Sequence, residues 1–320
     1  MNILVTGAAG FIGSHLCEKL LDLQHKVFAL DNFNDYYAPA IKRKNIEKAL
    51  SYTSEYRLLE GDIRDKDFLQ EIFAGYQIDL IVHLAAMAGV RPSIKNPNLY
   101  YEVNVMGTLN LLECCRYNDI KRFILASSSS VYGNNPSIPF QESDPVDNPI
   151  SPYAASKKAA ELMCHCYHHL YNISIACLRY FTVYGPRQRP DLAIHKFTRL
   201  MYEDKPLEVF GDLGSSRDYT YIDDIIAGTL SALSFVSDNT TCEIFNLGES
   251  ETITLSRMIN TLEKTLGRKA KIKKSPPQDG DVRQTYASLE KSKKLLGYNP
   301  RTKFDDGIRQ FIDWFKKETE

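Results

Sequence analysis

Ser128, Tyr153 and Lys157 are the residues of this chain whose types and spacing suit proton and hydride chemistry. Tyr153 and Lys157 lie four positions apart in Tyr153-Ala-Ala-Ser-Lys157, so on a helix they share one face. A phenol with its ordinary pKa near ~10 is a poor base at neutral pH, and lowering that by roughly 3 units takes about 4 kcal/mol of differential stabilisation of the phenolate. A cation held one helical turn away supplies part of it. Ser128, in the run Ser127-Ser128-Ser129-Ser130-Val131-Tyr132-Gly133, adds a hydroxyl for a substrate oxygen. The three can take a proton from an alcohol while a cofactor takes the hydride. The same Tyr-x-x-x-Lys spacing also occurs on ordinary solvated helix faces, so its meaning depends on its surroundings.

The N-terminus supplies those surroundings. Ile3-Leu4-Val5-Thr6 reads as a short buried strand that opens into Gly7-Ala8-Ala9-Gly10-Phe11-Ile12-Gly13. Leu16, Leu20, Leu21 and Leu23 then follow helical spacing. Glycines at a strand-to-helix turn let backbone N–H groups approach a pyrophosphate at a helix N-terminus. The spacing is Gly-x-x-Gly-x-x-Gly, not the Gly-x-Gly-x-x-Gly of the commoner dehydrogenases. A second strand over residues 26–30 ends in Asp31, whose carboxylate can accept hydrogen bonds from an adenosine ribose diol. Asn32 and Phe33 follow with no arginine, so a 2′-phosphate would meet negative charge and no partner. NAD is therefore expected over NADP.

Further short strands are predicted over 57–60, 80–84, 123–126 and 173–178, with helices over 104–116 and 153–170 among the segments between them. That alternation predicts an α/β fold: a doubly wound parallel sheet covered on both faces, with a smaller second unit. Asp62 and Ile63 follow the third strand, where a carboxylate meets an adenine amino group, and Leu84-Ala85-Ala86 follow the fourth, where small residues let the chain pass close to the cofactor. Past Tyr180, prolines including Pro186, Pro190, Pro277 and Pro300 punctuate shorter elements. Residues 243–248 look like a strand returning to the main sheet. The expected division is a cofactor domain of residues 1–181 and 220–249 and a substrate domain of residues 182–219 and 250–320.

Composition agrees with a soluble enzyme: 320 residues, 43% hydrophobic, 25% charged and a formal net charge of −1. That charge gives no reason to expect nucleic acid or an anionic membrane as partner, and no apolar run approaches the ~20 residues of a spanning helix. The start shows no signal-peptide pattern. Seven cysteines without framework or zinc-ligand spacing read as reduced thiols, with no metal site, in a cytoplasmic protein.

With those residues placed, the chain resembles the extended short-chain dehydrogenase/reductase family, specifically its nucleotide-sugar epimerases, from Asn2 to about Lys316. The resemblance rests on Gly7-x-x-Gly-x-x-Gly13, His83-Leu-Ala-Ala86, Asn104, the Ser/Tyr/Lys set, Tyr180-Phe-Thr-Val-Tyr-Gly-Pro186 and the segment Arg217–Asp224. Residues Asp31–Tyr37, Ala88–Ser93, Thr182, Arg189–Leu192 and Asp279–Ala287 look most like the UDP-glucuronate 4-epimerase branch. The resemblance implies a domain holding NAD through Gly7, Gly10, Phe11, Ile12, Gly13, Asp31, Asn32, Asp62, Ile63, Leu84, Ala85, Ala86, Asn104, Tyr153, Lys157 and Tyr180, and a small domain gripping UDP. It also implies that Tyr153 takes the 4-hydroxyl proton while Lys157 hydrogen-bonds the nicotinamide ribose. A 4-keto intermediate then turns over and is reduced on its other face. Arg217 and Arg283 match phosphate-holding positions, with surface ion pairs as the plain alternative; Arg187 and Arg189 are further candidates. Arg91 would approach the sugar carboxylate or a phosphate, or tie down its loop, and the sequence leaves these open. The apolar faces of the 104–116 and 153–170 helices suggest a homodimer.

The substrate expectation rests on what is missing. A 4-keto glucuronate is a β-keto acid prone to lose carbon dioxide. Family relatives that decarboxylate or dehydrate such an intermediate usually carry a carboxylate one or two residues after the catalytic Ser/Thr. Here those positions are Ser129 and Ser130, and a carboxylate there would repel the substrate's own. Ser128, Ser129, Ser130 and Thr182 can hold the sugar carboxylate by hydrogen bonds, although Ser129 and Ser130 can equally satisfy backbone groups at a strand end. The expected reaction is UDP-glucuronate to UDP-galacturonate; the alternative is a 4-epimerase of a neutral or N-acetylated UDP-hexose. Thr285-Tyr-Ala-Ser288 departs from the family's Thr-x-Ala-Asp, which reads as an exchange of comparable helix N-caps.

Overall fold

The computed structural model describes residues 1–276 and 282–319; Pro277 and Asp279 of the sequence reading lie outside them. In chain order the elements are β1 (Asn2–Thr6), α1 (Phe11–Asp22), β2 (Lys26–Asp31), α2 (Pro39–Asn45), α3 (Glu47–Leu50), β3 (Tyr56–Glu60), α4 (Lys66–Gly75) and β4 (Leu80–His83). Next come α5 (Val90–Lys95), α6 (Pro97–Tyr101), a π-helical turn (Glu102–Met106), α7 (Gly107–Tyr117), β5 (Arg122–Ser128), a 3₁₀ turn (Ser129–Tyr132), α8 (Pro152–Tyr171) and β6 (Ser174–Tyr180). The remainder is β7 (Thr182–Tyr184), α9 (Ala193–Tyr202), β8 (Leu207–Phe210), β9 (Ser216–Tyr221), α10 (Ile222–Asp238), β10 (Cys242–Leu247), β11 (Thr252–Thr254), α11 (Leu255–Leu266), β12 (Ile272–Ser275), α12 (Glu290–Leu296) and α13 (Phe304–Thr319).

Ile3, Leu4 and Val5 are consecutive and all fully buried, which is the mark of a strand covered on both faces. Seven strands form one sheet in the order β10-β6-β5-β4-β1-β2-β3, and every pair in it runs parallel, with Val5 opposite Ala29 on one side and Val82 on the other. The chain moves from β1 to β2 and β3, then returns to lay β4 on the other side of β1. That reversal opens a crevice at the carboxyl ends of β1 and β4, where ligands bind in this class of sheet. β10 returns beside β6, as the 243–248 run predicts. A three-stranded sheet (β11-β9-β7) and a pair (β12-β8) make up the smaller β-structure.

Two local differences from the sequence reading have physical causes. The helix expected from residue 104 begins instead as the π turn, with α7 starting at Gly107. There the buried Asn104 amide accepts from the Met87 N–H (2.8 Å), donates to the Met87 carbonyl (2.9 Å) and donates to Ser156 Oγ (2.9 Å). The wide turn presents that side chain to the neighbouring loop, a common use of π-bulges at sites. The N-cap of α12 is Leu289, not Ser288, and its side chain makes no cap hydrogen bond. Ser288 is held instead by its N–H on the Phe140 carbonyl (2.9 Å).

Candidate active site

The turn after β1 is built by close approach. Gly7 takes φ +70°, and a Cβ on it would stand 2.8 Å from the Ala85 nitrogen. A Cβ on Gly13 would stand 2.9 Å from Ala8 Cα and closer still to the Gly7 carbonyl oxygen. The first amides of α1 have no side-chain cap at Gly10, which leaves donors and the positive end of the helix dipole facing the crevice. Asp31, at the end of β2 and 6% exposed, accepts from the Ala9 N–H (3.0 Å) on one oxygen and the Phe33 N–H (2.9 Å) on the other. A carboxylate has about four acceptor sites, so two remain for a ribose diol. A cradle that side chains would fill, open helix amides and a half-satisfied carboxylate together fit a dinucleotide.

Asp62 and Asn32 form the wall beyond. The Asp62 carboxylate accepts from Asn32 Nδ2 (2.9 Å) and from Arg64 at its N–H (2.8 Å), Nε (3.0 Å) and guanidinium terminus (2.9 Å). Burial opposes its ionisation, but those hydrogen bonds win and hold it below its ordinary range. No arginine follows Asp31 in the sequence, but α2 folds back to put Lys42 Nζ 3.9 Å from its carboxylate, donating to Asn34 Oδ1 at 3.1 Å. Arg43 lies over the Phe33 ring at 3.6 Å but is paired with Glu60.

One cleft of about 570 Å³ runs from Gly7, Phe11 and Ile12, past Asp31, Lys42, Asp62, Ile63 and Leu84–Ala86, to Ser128–Ser130, Tyr153, Lys157, Tyr180 and Thr182. Asn104 is not on that wall; it grips Met87 behind it. Ser128 is the last residue of β5; its Oγ donates to Ser130 Oγ (3.0 Å) and accepts the Ser130 N–H (3.1 Å). Ser151 caps α8 by accepting the Ala154 N–H (3.2 Å), with Pro152 at the first helical position. Tyr153 and Lys157 follow on one face. Burial raises the Tyr153 phenol, opposed by a hydrogen bond with the Ser128 hydroxyl and by the charge of Arg189. Burial lowers Lys157 to about 8, opposed by Glu161, and its ammonium donates to the Ala126 carbonyl at 2.7 Å.

The arginines divide. Arg189 lines the cleft on the phenol side, donating twice to Asp191 (3.0 and 2.8 Å) with its guanidinium over the Tyr36 ring at 5.2 Å. Arg187, at φ +63°, turns back to α1, where it pairs with Glu18 (2.7 Å) and reaches Ser14 Oγ (3.4 Å). Arg217 donates to the Ser216 and Arg283 carbonyls (2.9 and 3.4 Å), and the Ser216 N–H donates to the Arg283 carbonyl (3.1 Å), so the two arginines share one backbone rung, and neither is among the residues that line the cleft. Arg91 lies over the Phe210 ring at 5.2 Å, joining α5 to the end of β8.

The family model described as GDP-mannose 4,6 dehydratase matches residues 4–311. The chain belongs to this extended short-chain dehydrogenase/reductase family. It is 43% identical to a UDP-glucuronate 4-epimerase of Thermodesulfobacterium geofontis, over 99% of this chain and 97% of that protein. The crystal structure of UDP-glucuronic acid 4-epimerase from Bacillus cereus in complex with UDP-glucuronic acid and NAD superposes with a TM-score of 0.91, at 41% identity over 99% of this chain and 100% of the other. A UDP-glucose 4-epimerase from Thermotoga maritima in complex with UDP-glucose reaches the same TM-score at 31% identity, over 100% of both chains.

As an extended short-chain dehydrogenase/reductase, the chain carries cleft residues that spacing alone does not reveal. Tyr36, Tyr37, Lys42, Met87 and Leu192 all line the cleft. The Tyr100 ring meets Tyr153 edge-on at 6.1 Å between centroids, and its hydroxyl donates to the Ala88 carbonyl (2.9 Å). The sequence signals for these are the Tyr36-Tyr37 pair after Asp31 and the Arg189–Leu192 segment.

Proposed function

We infer that this protein is an NAD-dependent UDP-glucuronate 4-epimerase. The observation that carries the reading is a single cleft in which the dinucleotide cradle leads to Ser128, Tyr153 and Lys157, with hydroxyls at Ser129, Ser130 and Thr182 and a guanidinium at Arg189, and with no carboxylate next to Ser128. An anionic hexose suits that lining. Bound NAD supplies the hydride acceptor at carbon 4 and is regenerated in each cycle. Tyr153 accepts the 4-hydroxyl proton and later returns it, while Ser128 offers its hydroxyl to a substrate oxygen. Lys157 and Arg189 are the two cations whose charge favours the phenolate. The 4-keto sugar turns over while UDP stays held, and the serine and threonine hydroxyls fix its carboxylate. Arg189 stands closest to the sugar end, while Arg217 and Arg283 are proposed for the diphosphate.

The proposed division keeps residues 1–181 and 220–249 as the NAD domain and 182–219 with 250–320 as the sugar-nucleotide domain. Exposed Tyr117, Leu162 and Leu170 on α7 and α8 support a homodimer through those helices. No helix among the described residues is long and apolar enough to cross a membrane, and seven free thiols support a cytoplasmic setting. The test is proton NMR of purified protein with UDP-glucuronate and no added NAD. UDP-galacturonate rising to a steady ratio is expected. A UDP-pentose product would refute the carboxylate-holding role, and no change with NAD added would redirect the reading to neutral UDP-hexoses.

A further inference from the structure

We propose that Glu161 is a positioning residue for this reaction: its carboxylate locks the sheet rung beneath Ser128 and is the counter-charge that keeps Lys157 an ammonium. The proposal rests on the epimerase reading. Glu161 lies one helical turn beyond Lys157, as Lys157 lies one turn beyond Tyr153, so α8 carries all three on one face. Its side chain is 1% exposed. It accepts from Ser127 Oγ at 2.6 Å and from Arg179 Nε and its guanidinium terminus, each at 2.9 Å. Ser127 and Arg179 are register partners across β5 and β6, and the next rung is Ser128 opposite Tyr180. Three successive residues of β5 are thus tied to α8 or to the chemistry: Ala126 takes the Lys157 ammonium, Ser127 is held by Glu161, and Ser128 meets the phenol.

A fold-holding ion pair alone would not need to stand here, because apolar residues of similar volume replace such pairs without loss of stability in other proteins. What they cannot replace is the charge. From β4 the His83 imidazole faces Lys157 and is pushed down to about 3 by burial and by that charge, and burial raises the Tyr153 phenol one helical turn back, so neither supplies a negative partner in the resting site. Glu161 is faced by Arg179 from β6, by Lys158 at 4.0 Å on its own helix, and by the thiols of Cys164, Cys177 and Cys242, all raised and uncharged. The Tyr132 phenol lies under Arg179 and is also raised. Among these groups Glu161 is the one anion that acts on Lys157.

The test follows the pH dependence of Lys157 carbamylation by cyanate, resolved by mass spectrometry, beside the pH profile of kcat. The proteins are wild type, Glu161→Gln, Glu161→Asp and the apolar pair Glu161→Met with Arg179→Met. Wild-type turnover of UDP-glucuronate is measured first, so a failure of the functional reading is separate from a failure of this one. In Glu161→Gln and the apolar pair, the Lys157 midpoint and the alkaline limb of kcat are expected to fall by one pH unit or more. For one unit that means carbamylation roughly fivefold faster at pH 7, with KM for the UDP-sugar unchanged. Glu161→Asp keeps the charge and is expected to track wild type. Wild-type midpoints in both charge-removed proteins would overturn the proposal, and the apolar pair preserves the test if Glu161→Gln does not fold.

Discussion

Replacing Gly13 by alanine tests the cofactor cradle at its tightest point. The added Cβ would stand 2.9 Å from Ala8 Cα and from the Gly7 carbonyl carbon. Ordinary carbon–carbon contact is about 3.5–4.0 Å, so these two contacts alone need α1 to retreat from the turn by at least roughly 0.6–1.1 Å, and the still closer Gly7 carbonyl oxygen adds to the demand. Overpacking of this kind costs about 1–3 kcal/mol, a fall in Tm of roughly 1.5–4.5 °C for a chain of this length. The same retreat carries the Phe11, Ile12 and Gly13 amides away from the pyrophosphate position, so retained NAD falls as well. Gly75→Ala is the matched control: it ends α4, nothing lies within 4 Å of the new Cβ, and alanine is favoured over glycine in a helix by about 0.5–1 kcal/mol. The assay is calorimetric Tm together with chromatography of the nucleotide released by acid. A Gly13→Ala protein matching Gly75→Ala in both would refute the close-approach account of the turn.

Tyr153→Phe is expected to lower turnover by roughly 10²–10⁴-fold while NAD content and UDP-sugar binding hold; a parallel loss of binding would give Tyr153 a structural role instead. Thr182→Val should slow glucuronate turnover or release some UDP-pentose, and NMR showing neither would remove Thr182 from carboxylate holding. Glu249 is raised to about 8 by burial and by Asp224 and Asp218, and one of its oxygens is buried without a hydrogen-bond partner. A carboxyl raised on folding costs stability as pH climbs from the ordinary carboxylate range toward 8. Glu249→Gln should therefore raise Tm at pH 8 and leave it nearly unchanged at pH 5; an equal gain at both would count against burial as the cause.

The parts of the site legible in the sequence are those whose chemistry is local. β1, the glycine turn and α1 are contiguous, and Tyr153 and Lys157 sit on one helix whose period is known in advance. Asp31 ends a run of buried residues, and such runs declare a parallel strand. Lys42 was invisible because its place depends on α2 folding back over β2, which no spacing rule encodes. Arg187 looked like its neighbour Arg189, yet it turns through a left-handed backbone to Glu18, 169 positions away. The π turn is hidden because one extra residue per turn leaves the apolar pattern of the helix nearly intact. Glu161 reads as an ordinary polar helix residue until Arg179 is placed beside it.

The return of β10 to the main sheet has a consequence for how the protein is made. Cys242 pairs with Ile175 and Leu247 with Tyr180, so β6 must wait on the ribosome for more than sixty further residues before its second edge is covered. During that interval a row of unpaired amides and carbonyls beside Ile175, Cys177 and Leu178 is open to strands of other chains. Asn246 then closes it, donating to the Phe140 carbonyl at 2.9 Å and accepting from the Tyr132 hydroxyl at 2.7 Å. A nascent chain stalled between α9 and β10 would hold the glycine turn and the Ser128, Tyr153 and Lys157 segments but not a finished sheet, and would be the species most exposed to aggregation and to chaperone capture.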